Sequence, residues 1–96
     1  MHFEREVSPS NYAEGLKWCH LAAEQGDADA QLALGKIYSE GKHVVQDYVQ
    51  AHMWLNLAVT ETDHLHRDEL AIKMTRRQIA EAQRLARDWL LLHPPD

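Results

Sequence analysis

Moved along by 36 residues, this chain falls on itself. Asn11-Tyr12 lands on Asp47-Tyr48, Trp18 on Trp54, Leu21-Ala22 on Leu57-Ala58, and Asp27 on Asp63. A fixed period of this size restricts the chain to architectures in which one small unit recurs and buries its apolar side against the next. Such a stack presents an extended surface, whereas catalysis usually needs an enclosed pocket with a few converging polar groups. The period therefore points to recognition, and leaves open what is recognised.

Within the period the apolar residues recur at helical spacing, and no strand-like alternation rises above them. A first helix is expected from about Asn11 to Gln25, with Asn11 and Glu14 as cap and capping acid, Pro9 outside and Gly26 closing it. A second is expected from Ala28 to Ser39, capped by Asp27 and buried along Ala30, Leu34, Ile37 and Tyr38. Gly35 lies inside it at a cost of up to ~1 kcal/mol relative to alanine, which argues for close approach of a neighbouring helix. A third runs from the cap Asp47 to about Val59, apolar along Tyr48, Ala51, Leu55 and Ala58 and widened by Trp54 and Leu57. Such a broad apolar face belongs to a helix sandwiched between others. A fourth, His64 to Met74, has a weaker pattern, with Leu65, Leu70 and Ile72 as anchors. Thr75 and Gln78 form a capping box for a fifth, Arg76 to Leu91, which turns Ile79, Ala82, Leu85, Ala86 and Trp89 inward and Arg77, Glu81, Arg84 and Asp88 to water. Connections this short imply antiparallel neighbours, hence stacked helix hairpins.

Ninety-six residues make one small domain. Residues 1–66 carry four bases against ten acids, a net of −6, while residues 67–88 carry six bases against four acids, a net of +2. An acidic body with a mildly basic end lacks the strong positive patch that nucleic acid demands. The basic stretch is a solvated helix face or a docking edge for an acidic partner. A lone cysteine, Cys19, forms no intrachain disulfide and fits a core position. Glu4 and Glu6 break any secretory leader, and no apolar run approaches a membrane span. A cytoplasmic location is expected, with no membrane partner.

The run Ala22-Ala23-Glu24-Gln25-Gly26-Asp27-Ala28-Asp29-Ala30-Gln31, followed by Leu34-Gly35 and Tyr38, resembles the Sel1-like repeat family. Val44, Gln46, Asp47, Tyr48, Ala51, Trp54, Leu57 and Ala58 continue the pattern, and the stretch from Arg67 to Trp89 is similar to the closing segment of many bacterial members. The likeness spans roughly residues 9–89. Val45 stands where the family usually has proline, His43 and Thr62 where it has glycine. The resemblance implies an all-α, right-handed α-solenoid of antiparallel helix hairpins, five helices in about two and a half tetratricopeptide-like units. The expected division is an N-terminal extension at 1–10, a half repeat at 11–26, a full repeat at 27–62, a capping repeat at 63–92 and a tail at 93–96. The chain is then expected to begin in mid-repeat, lacking the helix that would pair with residues 11–25.

The resemblance further implies an adaptor or scaffold with no shared catalytic site and no cofactor. Its partner, a protein or peptide, would bind along the groove lined by the first helix of each pair. Helical phase places Asp29, Leu32, Lys36 and Ser39 there, with Asp68 and Ile72 from the next unit. The alternative is a small regulatory subunit or inhibitor that docks on an enzyme through the basic last helix. Tyr12, Leu16 and Cys19 would lose their cover if the pairing helix is absent, which suggests self-association, or closure by residues 1–9 with Phe3 and Val7 as a plug. Seven histidines invite a metal reading, but His64 and His66 diverge on a helix and no Cys or acid completes a ligand set around them, His20 or His52, so exposed or edge positions are expected. No nucleophile–base spacing, phosphate loop or HExxH pattern occurs. Trp18, Trp54 and Trp89 are expected in the core. Leu90-Leu91-Leu92 reads equally as a partner-binding strip or as the frayed last turn of a buried helix.

Overall fold

A computed structural model describes residues 9–58 and 64–94. It is helical, with no strand among the described residues: α1 (Pro9–Glu24), α2 (Ala28–Glu40), α3 (Tyr48–Leu57), α4 (His64–Ile72) and α5 (Arg76–Leu92). The helix starts follow from local chemistry. The Asp27 carboxylate accepts from the backbone N–H groups of Asp29 (2.9 Å) and Ala30 (3.2 Å), and Asp47 accepts from Gln50 N–H at 3.0 Å. Thr75 Oγ1 accepts from Gln78 N–H while Gln78 Oε1 accepts from Thr75 N–H, which completes the capping box. α2 ends at Gly41, whose φ of 67° is left-handed and whose N–H donates to Ile37 O at 3.0 Å. α1 begins two residues before the expected cap. Pro9 is its first residue, a position where the missing N–H costs nothing and the fixed φ suits a helix. Asn11 is therefore inside α1.

α3 is the centre of the fold and packs on α2, α4 and α5, while α1 packs on α2. One core cluster joins Ala23, Leu34, Met53, Trp54 and Ala86; the other joins Ala51, Leu55, Leu70, Met74 and Ala82. Burying a side chain such as Leu34 stabilises the fold by ~1.5–3 kcal/mol. Gly35 explains itself: a Cβ there would stand 2.5 Å from Leu55 Cδ2 and 3.2 Å from the Ala51 carbonyl oxygen. α2 thus lies on α3 so closely that any side chain at position 35 would force Leu55 to shift. α4 and α5 do not form a tight hairpin as expected; each packs chiefly on α3.

Three expectations about burial fail. Trp54 is 2% exposed, but its counterpart Trp18 is 61% exposed. Trp54 sits between His20 of α1 and Trp89 of α5, whereas α1 has a neighbour on its inner side only among the described residues. In α4, Leu70 is buried, but Leu65 and Ile72 are exposed. Met74, just beyond the helix, takes the inward position one turn after Leu70, so the buried stripe of α4 is rotated from the expected one. His52 is 3% exposed, not at an edge. Its Nδ1 accepts from Asn56 Nδ2 at 2.9 Å, and Asn56 Oδ1 accepts from Arg67 at 3.3 Å, so a polar chain links α3 to α4. The remaining tryptophan, Trp89, is partly buried, with His93 stacked on it at 4.0 Å. Phe3, Val7 and Thr62 lie outside the described residues.

Candidate protein-binding surface

α2 and α4 flank a cavity of about 260 Å³ with α3 at its base. α2 contributes Lys36, Ser39 and Glu40. α4 contributes His66, Glu69 and Leu70, followed by Lys73, while Tyr48 and Leu55 come from α3. The walls therefore carry both signs of charge over an apolar base. Neither Lys36 nor Lys73 is ion-paired among the described residues. The Ser39 hydroxyl is already committed, donating to the Lys36 carbonyl at 3.0 Å.

The six residues that helical phase assigned to this groove separate in space. Lys36 and Ser39 line it. Asp29 sits exposed in the first turn of α2, where a negative charge favours the helix N-terminus. Leu32 packs against the second core cluster. Asp68 lies 3.6 Å from its neighbour Arg67, outside the cavity lining, and Ile72 is 84% exposed. Because Leu70 and Met74 face the core, the groove side of α4 is the adjacent stripe of His66, Glu69 and Lys73. The i, i+4 spacing of Leu70 and Met74 was available in the sequence and would have given that stripe.

At the other end, Tyr12 stacks on His43 with ring centroids 3.9 Å apart, and Leu16 and Cys19 pack against the first core cluster. The outward side of α1 instead shows Gly15, Trp18 and Leu21. His20 Nε2 and the Tyr38 hydroxyl are 3.0 Å apart, which ties α1 to α2. Burial, and then the nearby Asp47 carboxylate, push the Tyr38 hydroxyl above its ordinary pKa. Burial also pulls the His52 imidazole below its ordinary value, helped by Arg67 and opposed by Asp68. On α5, Arg84 is held by Glu81 (2.7 Å) and Asp88 (3.0 Å), while Arg76, Arg77 and Arg87 are exposed without an ion pair among the described residues. Leu90, Leu91 and Leu92 are exposed, as either a partner-binding strip or a frayed last turn requires. Among the described residues, no group of three His, Cys, Asp or Glu side chains is placed to hold a metal ion, and no helix is long and apolar enough to cross a membrane.

The repeat period, the capped helix pairs and the glycine contact between α2 and α3 are features of one structural unit used more than once. The family model of the Sel1 repeat matches residues 1–27 and again residues 28–63. This chain belongs to the Sel1 repeat family. The second match contains α2 and α3 as one Sel1 repeat, while α4 and α5 extend the helical array beyond the matched residues. No curated protein and no solved structure matches the chain. Sel1 repeats are protein–protein interaction modules, not catalytic ones.

Proposed function

We propose that this protein is an adaptor whose α2–α4 groove holds a segment of a protein partner. The observation that carries this reading is the groove itself: Lys36 and Lys73 stand on opposite walls without ion-pair partners among the described residues, above Tyr48, Leu55 and Leu70. Lys36 and Lys73 can pair with a partner's carboxylates and Glu40 and Glu69 with its bases, over an apolar base that takes a side chain, which suits a peptide carrying charges of both signs beside an apolar residue. We divide the array into a half repeat at 11–26, a full repeat at 27–62 and a capping unit at 63–92, the last two forming the groove. The open side of α1 offers a second contact area on the same molecule. We place the protein in the cytoplasm, working without a cofactor.

A second reading has its own support. Exposed Arg76, Arg77 and Arg87 on α5 form an edge that would dock on an acidic enzyme surface, making the protein a regulatory subunit. Affinity co-purification from the native source, repeated with Lys36→Glu and Lys73→Glu and separately with Arg76→Glu and Arg87→Glu, distinguishes the two. Loss of a specific partner with the lysine variants alone supports the groove. Loss with the arginine variants alone favours the regulatory reading, and a partner indifferent to all four defeats both.

A further inference from the structure

The C-terminal ends of α1 and α5 meet at His93, the residue that closes α5. Its backbone N–H and its ring Nδ1 each lie 2.9 Å from the Trp89 carbonyl oxygen. Its ring lies flat on the Trp89 indole, with centroids 4.0 Å apart and 9° between the planes. On the opposite edge of the same ring, Nε2 is 3.4 Å from Oε1 of Glu24, the last residue of α1. A carbonyl oxygen only accepts, so Nδ1 must carry a proton to bond Trp89. Nε2 then turns a lone pair toward the Glu24 carboxylate when the ring is neutral, and a second N–H when the ring is charged. One proton decides whether this contact repels or attracts.

We propose that His93 is a proton-operated latch. Charged, it ties the end of α1 to the end of α5; neutral, it releases Glu24 and keeps its seat on Trp89. The surroundings call for a cation in three ways. Helix C-termini carry partial negative charge, and two of them meet here. Glu24 adds a full negative charge at a helix end where a carboxylate is unfavourable on its own. The indole face of Trp89 also attracts a cation. Other titratable groups of these elements are engaged elsewhere. Asp27, just past α1, caps α2, and Asp88 of α5 is held by Arg84. His20, one turn before Glu24, meets the Tyr38 hydroxyl, which can donate or accept and so suits either charge state. Among the described residues, Glu24 is the one carboxylate within ion-pair distance of His93. Because α1 packs chiefly on α2, the latch gives it a polar hold on α5 as well.

The test compares the full chain at about pH 8 and about pH 5.5, the span over which histidine changes charge while carboxylates stay ionised. Nitrogen-15 NMR at the higher pH should find the His93 proton on Nδ1. On acidification, a nuclear Overhauser contact between the His93 ring and the Glu24 side chain should strengthen. Both partners are partly exposed, so the effect on stability is small. Glu24→Gln should lower Tm by ~1–4 °C at about pH 5.5, and leave it unchanged or slightly raised at about pH 8. In a double-mutant cycle with His93→Gln, the coupling should be present at the lower pH and absent at the higher. Three outcomes overturn the proposal: a proton on Nε2 at the higher pH, a His93–Glu24 contact equally strong at both, or a coupling that does not change between them. A fourth is a pH dependence of the Glu24→Gln effect that survives in His93→Gln and vanishes in His20→Gln, which would make His20 the titrating group.

Discussion

The same substitution in two neighbouring helices should have opposite effects. Glycine inside a helix costs up to ~1 kcal/mol relative to alanine, because its backbone loses more freedom on folding. At Gly15 the new Cβ meets nothing within 4 Å among the described residues. Gly15→Ala should therefore stabilise the protein by ~0.5–1 kcal/mol, a rise of several degrees in Tm for a domain of this size. At Gly35 the same gain is opposed by a contact of 2.5 Å with Leu55 Cδ2 and 3.2 Å with the Ala51 carbonyl. Leu55 is 4% exposed and packed in the second cluster with Leu70 and Met74, so its side chain can yield only toward the cavity between α2 and α4. Overpacking of this kind costs ~1–3 kcal/mol. Gly35→Ala should end between neutral and ~2 kcal/mol destabilised, clearly below Gly15→Ala in the same urea titration. Leu55→Ala, itself costing ~2–5 kcal/mol, removes much of the obstruction, so the double variant should be less destabilised than the sum of the singles. Equal shifts for the two glycine variants, or strict additivity with Leu55→Ala, would refute the close contact between α2 and α3.

Three further tests concern other parts of the fold. Trp54→Ala should cost ~3–5 kcal/mol, whereas exposed Trp18→Ala should stay within ~0.5 kcal/mol of the parent by chemical denaturation. Thr75→Ala removes one half of the capping box and should cost about 1 kcal/mol, read as an earlier thermal transition. The His52 imidazole has its pKa lowered in the folded chain, first by burial and then by Arg67. Unfolding therefore takes up a proton below the ordinary value of 6.5, so stability is full above that pH and falls as the pH drops through the window beneath it. Urea midpoints for the parent and His52→Gln, compared at about pH 7.5 and about pH 5.5, should converge on acidification; a constant difference would reject the assignment.

Much of this architecture was legible because repetition and capping are local signals. Asp27, Asp47 and Thr75 each mark a helix start through a side chain that reaches two or three residues ahead, and Gly35 announced a contact through its cost. Burial was less legible, since it depends on what lies across a helix and not on the helix itself. Trp18 and Trp54 share a register but not a setting, because α3 has neighbours that α1 lacks among the described residues. In α4 an isoleucine at position 72 outweighed the Leu70–Met74 spacing, so the sequence put Asp68 and Ile72 on the groove, whereas Glu69 and Lys73 line the cavity. His52 was unreadable for another reason. Its polar atoms are satisfied through Asn56 and then Arg67, eleven residues beyond Asn56 in a helix whose placement the sequence left loose.

The indoles of Trp54 and Trp89 meet edge to face, 6.3 Å apart, and each buries its ring N–H with no acceptor among the described residues. A nitrogen that forfeits its water and gains nothing in return is a liability carried for the sake of the ring. At these two places the fold is choosing a bicyclic outline, and a carbon isostere of tryptophan would fit the joint better than the natural residue. The joint between α3 and α5 is thus a matter of shape with chemistry left unclaimed, and a route to a more durable protein lies at its two ring nitrogens.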